Sequence, residues 1–302
     1  MKIAPFSEIA QPLVVQDTAD FVFLYKPAFF HSVSLRSADE PSLAAWYRKN
    51  CPEYANAFQQ ACLNYSGKNR ISDALKTRLF SEFGMLSRLD YQTSGLVALA
   101  KNPEGILRFL HMASGSDLKN GAESGFSLLR KEYLLVCTAG GNGVQGSKPL
   151  LIPGVSLDTL SEIRISGYFR SWGERGRRVA CIAPEFLPSV PAGKKLSREL
   201  YQTQLKMLIN GWQGTSSGFA PSGAAHAGAK PANSILAKAV IIRGFRHQIR
   251  AHCAWTGHPI LGDAEYGGQP AQRLFLESFA LTIPSEDGKP QRIELYPDCE
   301  LK

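Results

Sequence analysis

Between Ser87 and Lys101 the chain reads Ser-Arg-Leu-Asp-Tyr-Gln-Thr-Ser-Gly-Leu-Val-Ala-Leu-Ala-Lys. One carboxylate, Asp90, follows the cation Arg88 by two residues and precedes Ser94-Gly95. Leu96 to Ala100 is small and apolar, the pattern of a buried strand. This arrangement presents a single acid on a tight loop at the edge of a rigid sheet. Surface acids rarely sit in such surroundings.

Three further blocks carry chemistry-bearing side chains. The first, Arg243-Gly-Phe-Arg-His-Gln-Ile-Arg-Ala-His-Cys-Ala-Trp-Thr-Gly-His-Pro-Ile-Leu-Gly-Asp263, predicts a helix over Phe245 to Trp255, stopped by Gly257 and Pro259. On that helix Arg246 and Arg250 share one face and Ile249 and Cys253 another. Taken alone, it reads as an amphipathic helix with two solvated arginines. The second block is Lys131-Glu-Tyr133; alone, its tyrosine reads as strand packing. The third is Arg273-Leu-Phe-Leu276, followed by Phe279 to Pro284, where Leu276 reads as core.

Together these blocks resemble the RluA-type pseudouridine synthases. The first stretch is similar to that family's H-R-L-D-x-x-T-S-G-L-L signature with its terminal A-K. The Arg243–Asp263 block is similar to G-R-T-H-Q-I-R-V-H followed by G-H-P-I and G-D-x-x-Y-G, matching through Tyr266-Gly267. The resemblance implies an α/β (α+β) pseudouridine synthase fold: a mixed, largely antiparallel central sheet with flanking helices, in two subdomains around a basic catalytic cleft. It implies that uridine in RNA becomes pseudouridine without metal or organic cofactor. Asp90 would be the catalytic residue, Arg250 its basic partner, and Tyr133 the ring that stacks on the target base. Such a pair directs a carboxylate and supports its charge. Arg88, Arg246, His247, Gln248 and Leu276 would contact RNA or the flipped base. Three departures concern substrate identity: Ser87 replaces His or Asn, Phe245-Arg246 replaces Arg-Thr, and Glu277 replaces the histidine of R-x-x-L-H-A.

The elements around these blocks follow from local pattern. Leu13 to Val15 and Phe21 to Tyr25 are short strands joined by a polar turn, the second ending at Lys26-Pro27. Ser42 to Gln60 and Glu104 to Met112 are helical in pattern. Strands are predicted at Lys131–Thr138, Glu162–Ile165, Arg178–Ile182, Tyr201–Leu208 and Ile235–Arg243. Ser114 to Phe126 reads as an exposed loop and Gly140 to Lys195 as irregular. Residues 214–233 are rich in Gly, Ala, Ser and Pro, a flexible insertion between strands. Residues 1–302 are expected to form one catalytic domain of two subdomains, and residues 1–12 are too few for an S4-like module.

Bulk properties bound the alternatives. The 302 residues carry a formal charge of +8, which favours a polyanionic partner. The expected partner is ribosomal large-subunit RNA or transfer RNA. Six scattered cysteines without a C-x-x-C pair fit reduced thiols rather than a zinc ribbon or disulfide framework. His247, His252, Cys253 and His258 do not converge on one helical face as metal ligands would. The N-terminus lacks a signal-peptide pattern and no apolar run is long enough to span a bilayer, so the cytoplasm is the expected location; a monomer is the expected state. Two rival readings are a synthase scaffold that only binds RNA and a glycosylase that releases free uracil.

Overall fold

In the computed structural model, the described residues are 5–35, 40–65, 72–114, 129–138, 162–184, 196–197, 199–210 and 234–296. They form an α+β fold with ten strands and five helices. All the strand pairs whose registers are given below are antiparallel. The chain folds into two compact units. One comprises residues 8–131 and 278–295; the other comprises 1–7, 132–277 and 296–302. The first carries Asp90 and the second carries Tyr133 and Arg250.

In the Asp90 unit, β1 (Leu13–Asp17) and β2 (Phe21–Lys26) form a hairpin, and β2 pairs with β3 (Ser94–Ala100) from Phe21↔Ala100 to Lys26↔Gly95. Every residue of β2 and β3 is buried, the signature of strands covered on both faces. The turn between β1 and β2 is closed by Thr18, whose amide and hydroxyl both donate to the Phe21 carbonyl. Gly95, at φ 115°, explains its own residue type: a Cβ there would lie 2.2 Å from the Ser278 carbonyl oxygen. Ser278 lies on β9 (Leu276–Pro284), to which β10 (Pro290–Glu294) pairs.

The predicted helix over Ser42 to Gln60 is two helices, α1 (Leu43–Asn50) and α2 (Pro52–Asn64). Pro52 lacks the N–H a continuing helix needs but suits the first turn of a new one. The Ser42 hydroxyl caps α1 by accepting from Ala45 N. Then come α3 (Asp73–Ser81), capped by Ser72, and α4 (Pro103–Ser114).

In the Arg250 unit the strands are β4 (Arg130–Thr138), β5 (Glu162–Trp172), β6 (Arg178–Ile182), β7 (Tyr201–Asn210) and β8 (Ser234–Ile241). Strand β5 pairs with β7 through Glu162–Gly167 and with β6 through Tyr168–Trp172, while β7 pairs with β8. Helix α5 (Gln248–Trp255) packs on one face of this sheet, where Ala251, Ala254 and Trp255 meet Ile165, Phe169, Val179 and Cys181. Cys137, Cys181 and Cys253 are buried in this unit and Cys51 in the other. Burial pushes the Cys51 and Cys181 thiols up from their ordinary range. Among the described residues no helix is long and apolar enough to cross a membrane. The Ser114–Phe126 loop, except Ser114 itself, and the 214–233 insertion lie outside the described residues.

Candidate active site

Asp90 sits on the loop immediately before β3 and is half-buried. Its own carbonyl accepts from Thr93 N at 3.1 Å, closing a turn over Tyr91 and Gln92. The loop is fastened from both sides. Ser32 Oγ donates to the Leu89 carbonyl at 2.8 Å and accepts from Leu89 N at 3.0 Å. Phe30 N donates to the Tyr91 carbonyl at 3.2 Å, and the His31 ring lies 4.5 Å from that of Tyr91.

Beneath this loop lies Lys26, fully buried. Its ammonium donates to the carbonyls of Pro27 (2.8 Å), Phe30 (2.7 Å) and Tyr91 (3.4 Å). A buried ammonium is tolerated only when hydrogen bonds compensate its lost hydration. Here those bonds tie the end of β2 to the residue after Asp90. Arg88 points differently: it is about half exposed and bridges Glu82 at 3.0 Å. Burial pushes the Glu82 carboxyl up, against the opposing pull of Arg88 and Arg78.

In the other unit, Arg250 is almost completely buried, not solvated as its helix alone suggested. Its Nε and Nη2 donate to the two oxygens of Asp263 at 2.8 and 2.7 Å, and Nη2 donates also to Glu265 at 2.8 Å. This two-pronged grip matches the planar fork of a guanidinium. The guanidinium carbon stands 5.0 Å over the Tyr266 ring. Burial raises Glu265, but Arg250, His247 and Arg177 outweigh it and hold its carboxyl below the ordinary value. Neither Asp263 nor Glu265 was singled out by sequence. The available signal is Gly262-Asp263 at the end of the Arg243–Asp263 block. Gly262 is required there because a Cβ would fall 1.8 Å from the Arg273 carbonyl oxygen.

The helix predicted from Phe245 begins three residues later. His247 adopts a left-handed backbone, φ 56°, which breaks the helical path before Gln248. Arg246 therefore shares no helical face with Arg250. It is exposed and donates to the carbonyls of Gly176 and, at 3.3 Å, Arg178. His247 Nδ1 stands 3.1 Å from the Tyr266 hydroxyl, which itself accepts from Val179 N. Gln248 spans three groups: its amide oxygen accepts from Phe245 N, and its amide nitrogen donates to the Gln202 carbonyl and the Thr203 hydroxyl. These bonds fix the entry to α5 and thereby the base of Arg250.

Tyr133 is buried near the start of β4. Leu276, also buried, opens β9, and the next residue, Glu277, is fully buried. Glu277 accepts from Phe6 N at 2.7 Å and from the Tyr296 hydroxyl, a structural use for the residue that departs from the family's histidine. Thus Asp90 and Arg88 belong to one unit. Tyr133, Arg246, His247, Gln248, Arg250 and Leu276 belong to the other.

The family profile described as RNA pseudouridylate synthase matches residues 20–255, well over half of the chain. The chain belongs to the RNA pseudouridylate synthase family. Members of the family are isomerases that convert uridine to pseudouridine. The chain is also similar to "RNA pseudouridylate synthase domain-containing protein 1" of Mus musculus, 39% identical over 61 residues, which are 18% of this chain and 19% of that protein. The human protein of the same name is 36% identical over 61 residues, again 18% of this chain and 19% of its own length. The matched segment therefore spans about a fifth of either relative. Among solved structures, "Human RNA Pseudouridylate Synthase Domain Containing 1" shares the fold at a TM-score of 0.55 and 17% identity, over 99% of this chain and 86% of that one. "Human RNA Pseudouridylate Synthase Domain Containing 4" does so at 0.51 and 14%, over 96% and 88%.

Proposed function

We propose that this RNA pseudouridylate synthase family member isomerises uridines in structured RNA, ribosomal large-subunit RNA or transfer RNA, with Asp90 as the catalytic carboxylate. The observation carrying this reading is the Asp90 loop. A carboxylate precedes an entirely buried strand, on a turn pinned by Lys26, Phe30 and Ser32. Such fixation limits the reorganisation needed when charge develops at the sugar.

The target uridine must leave its stack before its C1′ can be reached, at a cost of a few kcal/mol. Asp90 then acts on the ribose, as nucleophile at C1′ or as base at C2′. The N1–C1′ bond breaks, the uracil turns, and a C5–C1′ bond replaces it. The proton leaving C5 balances the one gained at N1, so the reaction is redox-neutral. In this reading Tyr133 stacks on the uracil, worth roughly 1–3 kcal/mol. Arg250, gripped by Asp263 and Glu265, is the basic partner of the reacting carboxylate. Arg88, Arg246, His247, Gln248 and Leu276 contact the RNA strand or the extruded base.

Pseudouridine mapping of ribosomal and transfer RNA in a strain lacking the gene tests this. Wild-type protein should restore sites lost in the deletion and the Asp90→Ala variant should restore none. Restoration by Asp90→Ala, or release of free uracil by the wild-type protein, removes the proposal.

A further inference from the structure

Within the Arg250 unit, the face of the sheet opposite α5 carries a row of cations that the active-site chemistry does not use. The register fixes which residues lie there. Ile163, Ile165 and Phe169 of β5 turn toward α5, and Thr203 of β7 bonds to His252 of that helix. Because side chains alternate along a strand, Arg164, Tyr168 and Arg170 of β5 and Lys206 of β7 turn the other way. Arg164 and Lys206 are exposed; Tyr168 and Arg170 are half-buried.

Arg164 stands opposite Gln204, and Lys206 stands opposite both Glu162 on β5 and Lys238 on β8. Arg164 and Lys206 are therefore diagonal neighbours, about 7–8 Å apart at the backbone. Lys206 and Lys238 face each other directly across adjacent strands, a like-charge placement that weakens a sheet unless an anion relieves it. Carboxylates stand at both edges of the pair: Glu132 lies 3.4 Å from Lys238, and Glu162, which also accepts from the Gln204 amide, is opposite Lys206. Arg164, Lys206 and Lys238 thus form a cationic row crossing three consecutive strands, about 10 Å wide at ordinary strand spacing.

We infer that this row is a docking surface for the RNA phosphate backbone, separate from the catalytic residues. The flanking carboxylates offset part of this charge, and Arg164 and Lys206 are the cations that stand exposed to an incoming polyanion. A polyanion supplies closely spaced negative charges to several of these cations at once and gains from counterion release. The inference rests on the reading that RNA is the substrate.

The test is the salt dependence of binding to an unmodified transfer RNA transcript. Removing two phosphate contacts in Arg164→Gln/Lys206→Gln should make the slope of log affinity against log salt shallower by about 1.4–1.8, weakening binding at low salt. The control Lys49→Gln/Lys289→Gln removes the same charge from exposed positions in the other unit. It should leave the slope within about 0.4 of wild type. An unchanged slope in the first variant, with its melting temperature intact, overturns the proposal. An equal change in both variants also does, since binding would then follow net charge alone. Wild-type protein that binds through this face yet forms no pseudouridine supports the surface and removes the catalytic reading instead.

Discussion

Replacing Lys26 by methionine tests whether a buried ammonium holds the Asp90 loop. Methionine keeps the apolar stem but removes the donor. Two short bonds are lost, to Pro27 O at 2.8 Å and Phe30 O at 2.7 Å, with a longer one to Tyr91 O at 3.4 Å. A hydrogen bond from a charged donor contributes about 1.5–3 kcal/mol. The lower end applies, because methionine also escapes the cost of burying an ammonium. Two such bonds give a loss of about 3 kcal/mol, or roughly 6–12 °C in melting temperature at ~2–4 °C per kcal/mol. Circular dichroism melting measures the loss, and hydrogen exchange across residues 86–93 shows where it falls. Faster exchange should concentrate there. A variant melting within about 2 °C of wild type, with unaltered exchange in that segment, refutes the reasoning.

Other perturbations separate the remaining interactions. Asp263→Asn removes the carboxylate that grips the buried Arg250 guanidinium with both oxygens, and should cost about 3–5 kcal/mol in urea unfolding. Glu265→Gln, at a quarter-exposed position, should cost about 1 kcal/mol or less in the same assay. Gly95→Ala forces a Cβ onto the Ser278 carbonyl at a positive φ, and should lower the yield of soluble, foldable protein sharply relative to Ser94→Ala. His252 is buried, and burial lowers its pKa to about 3. Below pH ~6.5 the unfolded chain binds a proton at this residue that the folded chain does not, so stability is full above that pH and falls toward pH 3. His252→Gln should flatten the stability–pH profile between pH 6 and 4 by up to ~1.4 kcal/mol per unit, read from urea midpoints.

Much of this architecture was legible because it depends on local pattern. The apolar run after Asp90 is β3, and Arg178–Ile182 is β6 to the residue. Errors arose where one residue outweighs its neighbours. Pro52 divides α1 from α2 although apolar residues continue past it. His247 delays α5, because its left-handed backbone interrupts the helical path although nothing in the apolar pattern marks a break there. Helix α3 and strand β10 have weak apolar patterning and were not foreseen. At the site, residue types were visible but partnerships were not. Nothing in the spacing of Arg250 and Asp263 reveals a two-pronged grip across the turn at Gly257–Pro259. Nor does Lys26, 65 residues from Tyr91, announce that it holds that residue's carbonyl.

The distribution of thiols gives each unit its own internal clock. Cys51 reports on one, while Cys137, Cys181 and Cys253 report on the other, and all four are shielded in the folded chain. An alkylating reagent modifies them only as the surrounding structure opens. Mass spectrometry of pulse-labelled peptides can therefore time the opening of the Asp90 half and the Arg250 half independently, without introducing any foreign probe.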